Sequence, residues 1–188
     1  MLQSGPVLLR ALEESDLEFL YALENDPTIW GVSDTLAPVS RYSLKQYLEH
    51  AGADFHEVRQ LRLVICAGPG APPVGTLDLF GFEPLHQRAG VGITILAAAR
   101  RHGFAQAALA LLLPYARRTL RLHQLYCTVA ADNKASLRLF RQAGFRRVGV
   151  RQQWLRRENS WQDAVEWQCL LADDKAEGEV VSIRLVTG

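Results

Sequence analysis

Six consecutive residues, Arg100-Arg101-His102-Gly103-Phe104-Ala105, carry the strongest chemical signal in the chain. An apolar run, Val91-Gly92-Ile93-Thr94-Ile95-Leu96, leads into them through three alanines, and a strongly apolar stretch through Leu109, Leu111, Leu112 and Leu113 follows. The pattern predicts a strand, a tight turn and a helix. A helix starting there leaves its first backbone N–H groups without internal partners. Those donors and the positive end of the helix dipole make an anion site. Gly103 has no Cβ and allows a close approach, and arginine forks suit phosphate oxygens. Two arginines alone would read as a solvated pair. Together with the glycine and the helix start they read as an anion site.

Other spacings carry less. Gly68-Pro69-Gly70 lacks the Lys and Ser/Thr of a phosphate loop, and proline removes a donor. Gly90-Val91-Gly92 lacks the third glycine of a dinucleotide fingerprint and continues as strand. Cys66, Cys127 and Cys169 lie far apart in apolar runs, with no ligand spacing for a metal. They read as small core residues in a reducing compartment.

The positioning elements follow from periodicity and punctuation. The chain has 188 residues, 48% hydrophobic and 22% charged, with a net charge of +1. That is enough for one sizeable core. The charge gives no drive toward nucleic acid or an acidic membrane. No secretory signal pattern opens the chain, and the longest apolar run is too short to span a bilayer, so a cytoplasmic location is expected.

Val7 to Leu12 reads as a strand. Ser15-Asp16-Leu17-Glu18 has capping-box spacing for a helix that Asn25-Asp26-Pro27 ends. Thr28 to Ala37 reads as a loop with Trp30 as an apolar anchor. A second helix follows Ser40 and closes at Gly52. Leu61–Ala67 and Val74–Phe82 read as a hairpin around a Gly/Pro turn. The helix after Gly103 runs to about Thr119, with a kink at Pro114. Leu122–Ala130 is the next strand. Asn133 or Asp132 caps a short helix that Gly144 closes before Phe145. Arg147–Arg151 and Asp163–Leu171 are strands, and Val180–Val186 alternates once more.

This order, with two motifs in place, resembles the GNAT acyl-CoA-dependent N-acetyltransferase superfamily. Arg100-x-x-Gly103-x-Ala105 matches its acyl-CoA signature, and Asn133-x-x-Ser136 with Gly144-Phe145 matches a second family element. The resemblance covers Val7 to Leu171. Arg88-Ala89-x-x-Gly92-Ile93 and Trp30 resemble the branch holding ribosomal-protein N-terminal and spermidine acetyltransferases. The resemblance implies an α/β (α+β) fold: a mixed, mostly antiparallel sheet, flanked by helices and splayed between its fourth and fifth strands. It implies an N-acyltransferase domain over 1–172, with an extension bearing an extra strand over 173–188.

It also implies acetyl-CoA as co-substrate. Backbone amides of Arg101, His102, Gly103, Phe104 and Ala105, with Arg100, would hold the diphosphate. The pantetheine arm would pair near Ile95 and Leu96, where one N–H polarises the thioester. Asn133 and Ser136 would contact the arm. The acceptor would be a small-molecule or peptide amine, attacking directly, and a homodimer is common in the family.

Two positions depart from the family pattern. Many relatives carry a tyrosine acid where this chain has Phe140, and a glutamate where it has Gly90. Ser136 is the replacement acid, with Tyr126 behind it. Glu83 and His86, just before the fourth strand, are the base candidates. Asp78 and Glu166 are strand carboxylates that either face the cleft or are solvated. The departures also motivate an alternative, a non-catalytic acyl-CoA-binding or regulatory module of the same fold.

Overall fold

Eight strands form one sheet, and its geometry follows from the alternation read above. A computed structural model describes residues 2–5, 7–33 and 37–171. The strands are β1 (Leu2–Ser4), β2 (Val7–Arg10), β3 (Leu61–Cys66), β4 (Pro73–Glu83), β5 (Arg88–Ile95), β6 (Gln124–Ala130), β7 (Arg146–Arg156) and β8 (Trp161–Leu170). They lie in the order β1-β2-β3-β4-β5-β6-β8-β7. All neighbours are antiparallel except β5 and β6. The parallel pair is held by three residue pairs only, Arg88 with Gln124, Ala89 with Leu125 and Gly90 with Tyr126. Beyond them the two strands part. The expected splay is therefore present, one strand later in the count because β1 precedes the first expected strand.

The helices are α1 (Leu17–Glu24), α2 (Pro27–Ser33), α3 (Arg41–Glu49), α4 (Phe55–Val58), α5 (Phe104–Arg118) and α6 (Lys134–Gln142). Helix α5 buries Ala108, Leu109, Leu112 and Ala116 against Ile65, Leu77, Leu79 and Val91 on one face of the sheet. Each fully buried leucine there contributes about 2 kcal/mol by area removed from water. On the opposite face, Leu8, Val64 and Cys66 form a smaller apolar cluster with Leu12 and Phe19.

Several local expectations are corrected. Pro27 begins a helix instead of only ending one, because proline fits the first helical position where its missing N–H costs nothing. Thr28 to Ala37 is thus helical through Ser33. The capping box is formed by Glu13 and Asp16 on the 3-10 turn that precedes α1, with Asp16 accepting from the Glu13 N–H at 2.9 Å, two residues earlier than Ser15 and Glu18. Helix α4 and strand β1 had no expected counterpart. Strand β7 runs five residues past Arg151, through a register shift against β8. Pro114 lies inside α5 without ending it. The alternating stretch Val180–Val186 lies outside the described residues.

Candidate active site

Where β5 and β6 separate, their peptide groups face a gap. The N–H of Leu96 donates to the Val74 carbonyl at 2.9 Å, so Leu96 is committed to β4. Alternation along an antiparallel ladder then turns the peptide groups of Ile95 and Ile93 the other way, toward the gap. This corrects the pairing expected at Leu96: the donors available to an added strand belong to Ile93 and Ile95. The Arg100 guanidinium folds back on one of these groups, its Nε 3.0 Å from the Ile95 carbonyl.

The turn after Leu96 presents backbone donors. Arg101 has a positive φ of 67°, and Gly103 one of 80°. Gly103 is the N-cap of α5, and its carbonyl accepts from Ala107 at 3.0 Å, the first bond of the helix. The N–H groups of Phe104, Ala105 and Gln106 precede that bond and have no carbonyl in the turn before them. Nothing lies within 4 Å of the position a Cβ on Gly103 would take, so the approach is open. The rings of His102 and Phe104 stack beside it at 5.9 Å. The charge, the donors and the open space fit a diphosphate.

A cleft of about 840 Å³ runs from the gap to the face of the sheet bearing α1 and α3. On the α6 side it is lined by Asn133, Ser136 and Phe140. Asn133 caps α6, its Oδ1 accepting from the Ser136 N–H at 3.1 Å, which leaves the Ser136 hydroxyl for other partners. Phe140 is buried against Phe145, ring edge to ring face at 5.1 Å.

On the other side stand Glu24 of α1, Tyr47 of α3, Arg62 of β3 and Asp78 of β4. Arg62 binds both carboxylates, through Nε to Asp78 at 2.5 Å and through Nη1 to Glu24 at 2.6 Å. Burial pushes the Asp78 carboxyl above its ordinary range, against the pull of Arg62. Burial also raises the Tyr47 hydroxyl. Burial alone would lower the Arg62 guanidinium, but Asp78 and Glu24 more than offset it and keep it charged. Asp78 stands opposite Gly92 in the ladder. Ser136 and Asp78 line the same cleft, on the α6 side and the β4 side.

The remaining candidates fall elsewhere. Glu83 ends β4 and pairs with Arg88, at the closed end of the β5–β6 junction, and accepts from the Leu85 N–H at 3.3 Å. His86 lies in the exposed turn beside it. The cleft is not lined by either. The hairpin holds them about seven residues, roughly 23 Å of strand, from Ile95. Glu166 accepts from Thr128 at 2.8 Å and pairs with Arg151 at 2.9 Å, at the rim. Tyr126 lines the cleft, but its hydroxyl lies over Gly81, toward the closed end.

Gly90 has a definite occupant: a Cβ there would come within 2.4 Å of the Phe80 ring. The space a glutamate would need is filled by that aromatic face. The role of Arg62 had no sequence signal, because its partners lie 16 and 38 residues away. Among the described residues no group of three or more His, Cys, Asp or Glu is placed to hold a metal. No described helix is long and apolar enough to cross a membrane.

Residues 7–146 match the model of the acetyltransferase (GNAT) domain. The chain is 27% identical over 158 residues to the uncharacterized N-acetyltransferase YoaA of Bacillus subtilis, covering 82% of this chain and 88% of that protein. It is 29% identical over 143 residues to spermidine N(1)-acetyltransferase of Escherichia coli K12, covering 74% and 72%. The structure of spermidine N-acetyltransferase from Vibrio cholerae in complex with CoA and spermine superposes with a TM-score of 0.80 at 25% identity, covering 89% of this chain and 97% of that one.

Proposed function

This chain belongs to the GNAT acetyltransferase family and is an acetyl-CoA-dependent N-acetyltransferase; from that premise we propose that an amine attacks the thioester directly, in a ternary complex assembled across the β5–β6 gap. The observation that carries this reading is the single cleft that joins the Ser136 side of the gap to the Asp78 side. A thioester in the gap supplies an activated acetyl group, and the protein positions both reactants around it.

The amide donors at Phe104 and Ala105, with Arg101, His102 and Gly103 in the turn, bind the diphosphate. Arg100 braces the end of β5 through the Ile95 carbonyl. The N–H of Ile93 or Ile95 polarises the thioester oxygen, an interaction worth about 3 kcal/mol where such donors have been removed. Asn133 holds the start of α6 in place. Ser136 relays a proton to the departing sulfur, taking one from the amine nitrogen as the C–S bond breaks, so its hydroxyl is restored. Asp78, raised by burial and adjacent to Gly92, takes the proton of the attacking amine, which must be neutral to react. Glu83 and His86 have no role at the reacting atoms in this scheme.

The spermidine acetyltransferases among the relatives support a small amine as the acceptor, with a peptide amine as the alternative. Release of free thiol from acetyl-CoA over a panel of amines tests the reading. Amine-dependent release is expected, with initial rates following a sequential pattern when both substrates are varied. Parallel reciprocal plots would overturn direct attack. Tight acetyl-CoA binding without turnover on any amine would favour a binding module.

A further inference from the structure

The acceptor end of the cleft has an unusual balance of charge and apolar surface. Its lining carboxylates, among the described residues, are Glu24 and Asp78, and both are already bridged to Arg62. The three groups together leave one net negative charge. Neighbouring carboxylates are committed as well: Glu18 of α1 is held by Arg41 at 2.8 Å, and Glu166 by Arg151. A polyamine that has given up one proton for attack still carries two or more cations. Each of those needs a carboxylate or a desolvated aromatic face in a partly buried site.

The rest of the lining carries no charge: neutral polar groups such as Ser43, Gln60, Thr76 and Thr94 alternate with apolar ones. Leu23, Ile29 and Leu44 are buried in the wall. Phe80 and Trp154 also line the cleft, yet they stay 45% and 53% exposed. The Phe80 ring is pinned over Gly90, and Trp154 is held by Arg151, whose guanidinium carbon sits 4.4 Å from the ring centre. Two large, half-exposed aromatic surfaces held in the wall of a cleft are suited to contact with an apolar body.

We infer that the acceptor is a primary amine carrying a single positive charge on an apolar or aromatic body, and that Arg62 is the residue that sets this preference. The inference rests on the acetyltransferase reading above. Before attack the single ammonium balances the one net charge of the Glu24–Arg62–Asp78 group. After its proton passes to Asp78, no uncompensated cation remains in the cleft. Polyamines are disfavoured because Arg62 neutralises the charge they would need.

The test compares phenethylamine and hexylamine with spermidine. A tripeptide amide with N-terminal leucine distinguishes a peptide source of the same chemistry from a small molecule. The full chain is used, with CoA binding confirmed first. Amine binding to the CoA complex is measured by calorimetry, separately from kcat/KM with acetyl-CoA. A tenfold or greater preference for the monoamines over spermidine is expected in both. Tighter binding of spermidine would overturn the inference. If no amine turns over while phenethylamine still binds more tightly, the catalytic reading falls with the acceptor role, and the charge preference assigned to Arg62 stands as one of amine binding.

Arg62→Gln frees both carboxylates, and the ratio of spermidine to phenethylamine affinity should rise at least tenfold. An unchanged ratio in a folded variant would refute the role of Arg62. If that variant does not fold, Trp154→Ser supplies the test. It should weaken phenethylamine about tenfold and leave spermidine unmoved, and equal losses for both would count against the inference.

Discussion

Replacing Gly103 by alanine separates two effects that share one residue. Gly103 has φ of 80°, and the Cβ position is open. An L-residue there costs about 1 kcal/mol in backbone strain. For a chain of 188 residues that lowers Tm by about 2–4 °C. The methyl would also stand in the space before the first amides of α5. Displacing an anion by about 1 Å takes an N–H···O contact near 2.9 Å beyond hydrogen-bond reach. Two charge-assisted bonds lost at about 1.5 kcal/mol each weaken CoA by about 3 kcal/mol, close to 100-fold.

Gly144 provides the control. It too has a positive φ, 91°, with open space at its Cβ, but it closes the far end of α6. Gly144→Ala should cost a similar Tm and leave CoA affinity within about twofold. The assays are thermal unfolding of each apo variant and calorimetric titration with CoA. Equal losses of CoA affinity in both variants, or an unchanged affinity in Gly103→Ala, would refute the assignment of the α5 N-terminus as the diphosphate site.

Three other outcomes concern the chemistry. Ser136→Ala should lower kcat by about 100-fold with little change in acetyl-CoA Kd. Phe140→Tyr, which returns the family's usual acid to a ring that lines the cleft, should restore part of that loss. Stopped-flow measurement of thiol release reads both. Asp78→Asn should remove the acid limb of the kcat/KM–pH profile. In the unsubstituted protein that limb should lie above the ordinary carboxylate range, since burial raises this group and only its ionised form accepts a proton.

Asp16→Asn addresses stability. Asp16 is 2% exposed and is gripped by both terminal nitrogens of Arg10 at 2.7 Å. Burial pulls its carboxyl up, but the bonds from Arg10 and the Glu13 N–H more than compensate, so it ionises below its usual 3.8. A lowered carboxyl stabilises the fold above the unfolded value and loses that contribution as pH falls through the folded one. The variant should lose about 2 kcal/mol at pH 7, measured by urea unfolding, and progressively less as pH falls below the ordinary carboxylate range.

Local signals were legible in the sequence wherever one residue decides a local geometry. Ser40 and Asn133 cap their helices through side-chain oxygens as their types suggest. Gly103 and Gly144 take the left-handed conformations that only glycine adopts cheaply. The hairpin around the Gly68–Pro73 turn pairs β3 with β4 as alternation implied. What was illegible depends on contacts across the sheet. Pro27 reads equally as a stop and as a helix start, and the choice falls to the packing of Ile29, which is buried at 4% exposure. Glu83 and His86 looked close to the reacting strand because the chain places them just before it. The antiparallel register carries them instead to the end where β5 and β6 are still joined. Asp78 gains its position from Arg62 and Glu24, and no local pattern announces a pairing over such separations. The empty place at Gly90 is explained only by the ring of a residue on the next strand.

The three-pair junction between β5 and β6 has a further consequence. It leaves a stretch of unzipped backbone in the middle of an eight-stranded array rather than at its border. Bare strand flanks invite pairing with other chains, and proteins ordinarily shield them with charge, bulges or a covering segment. Here an extended cofactor arm lying along Ile93 and Ile95 would serve as that shield, so the nucleotide thioester doubles as a missing rung.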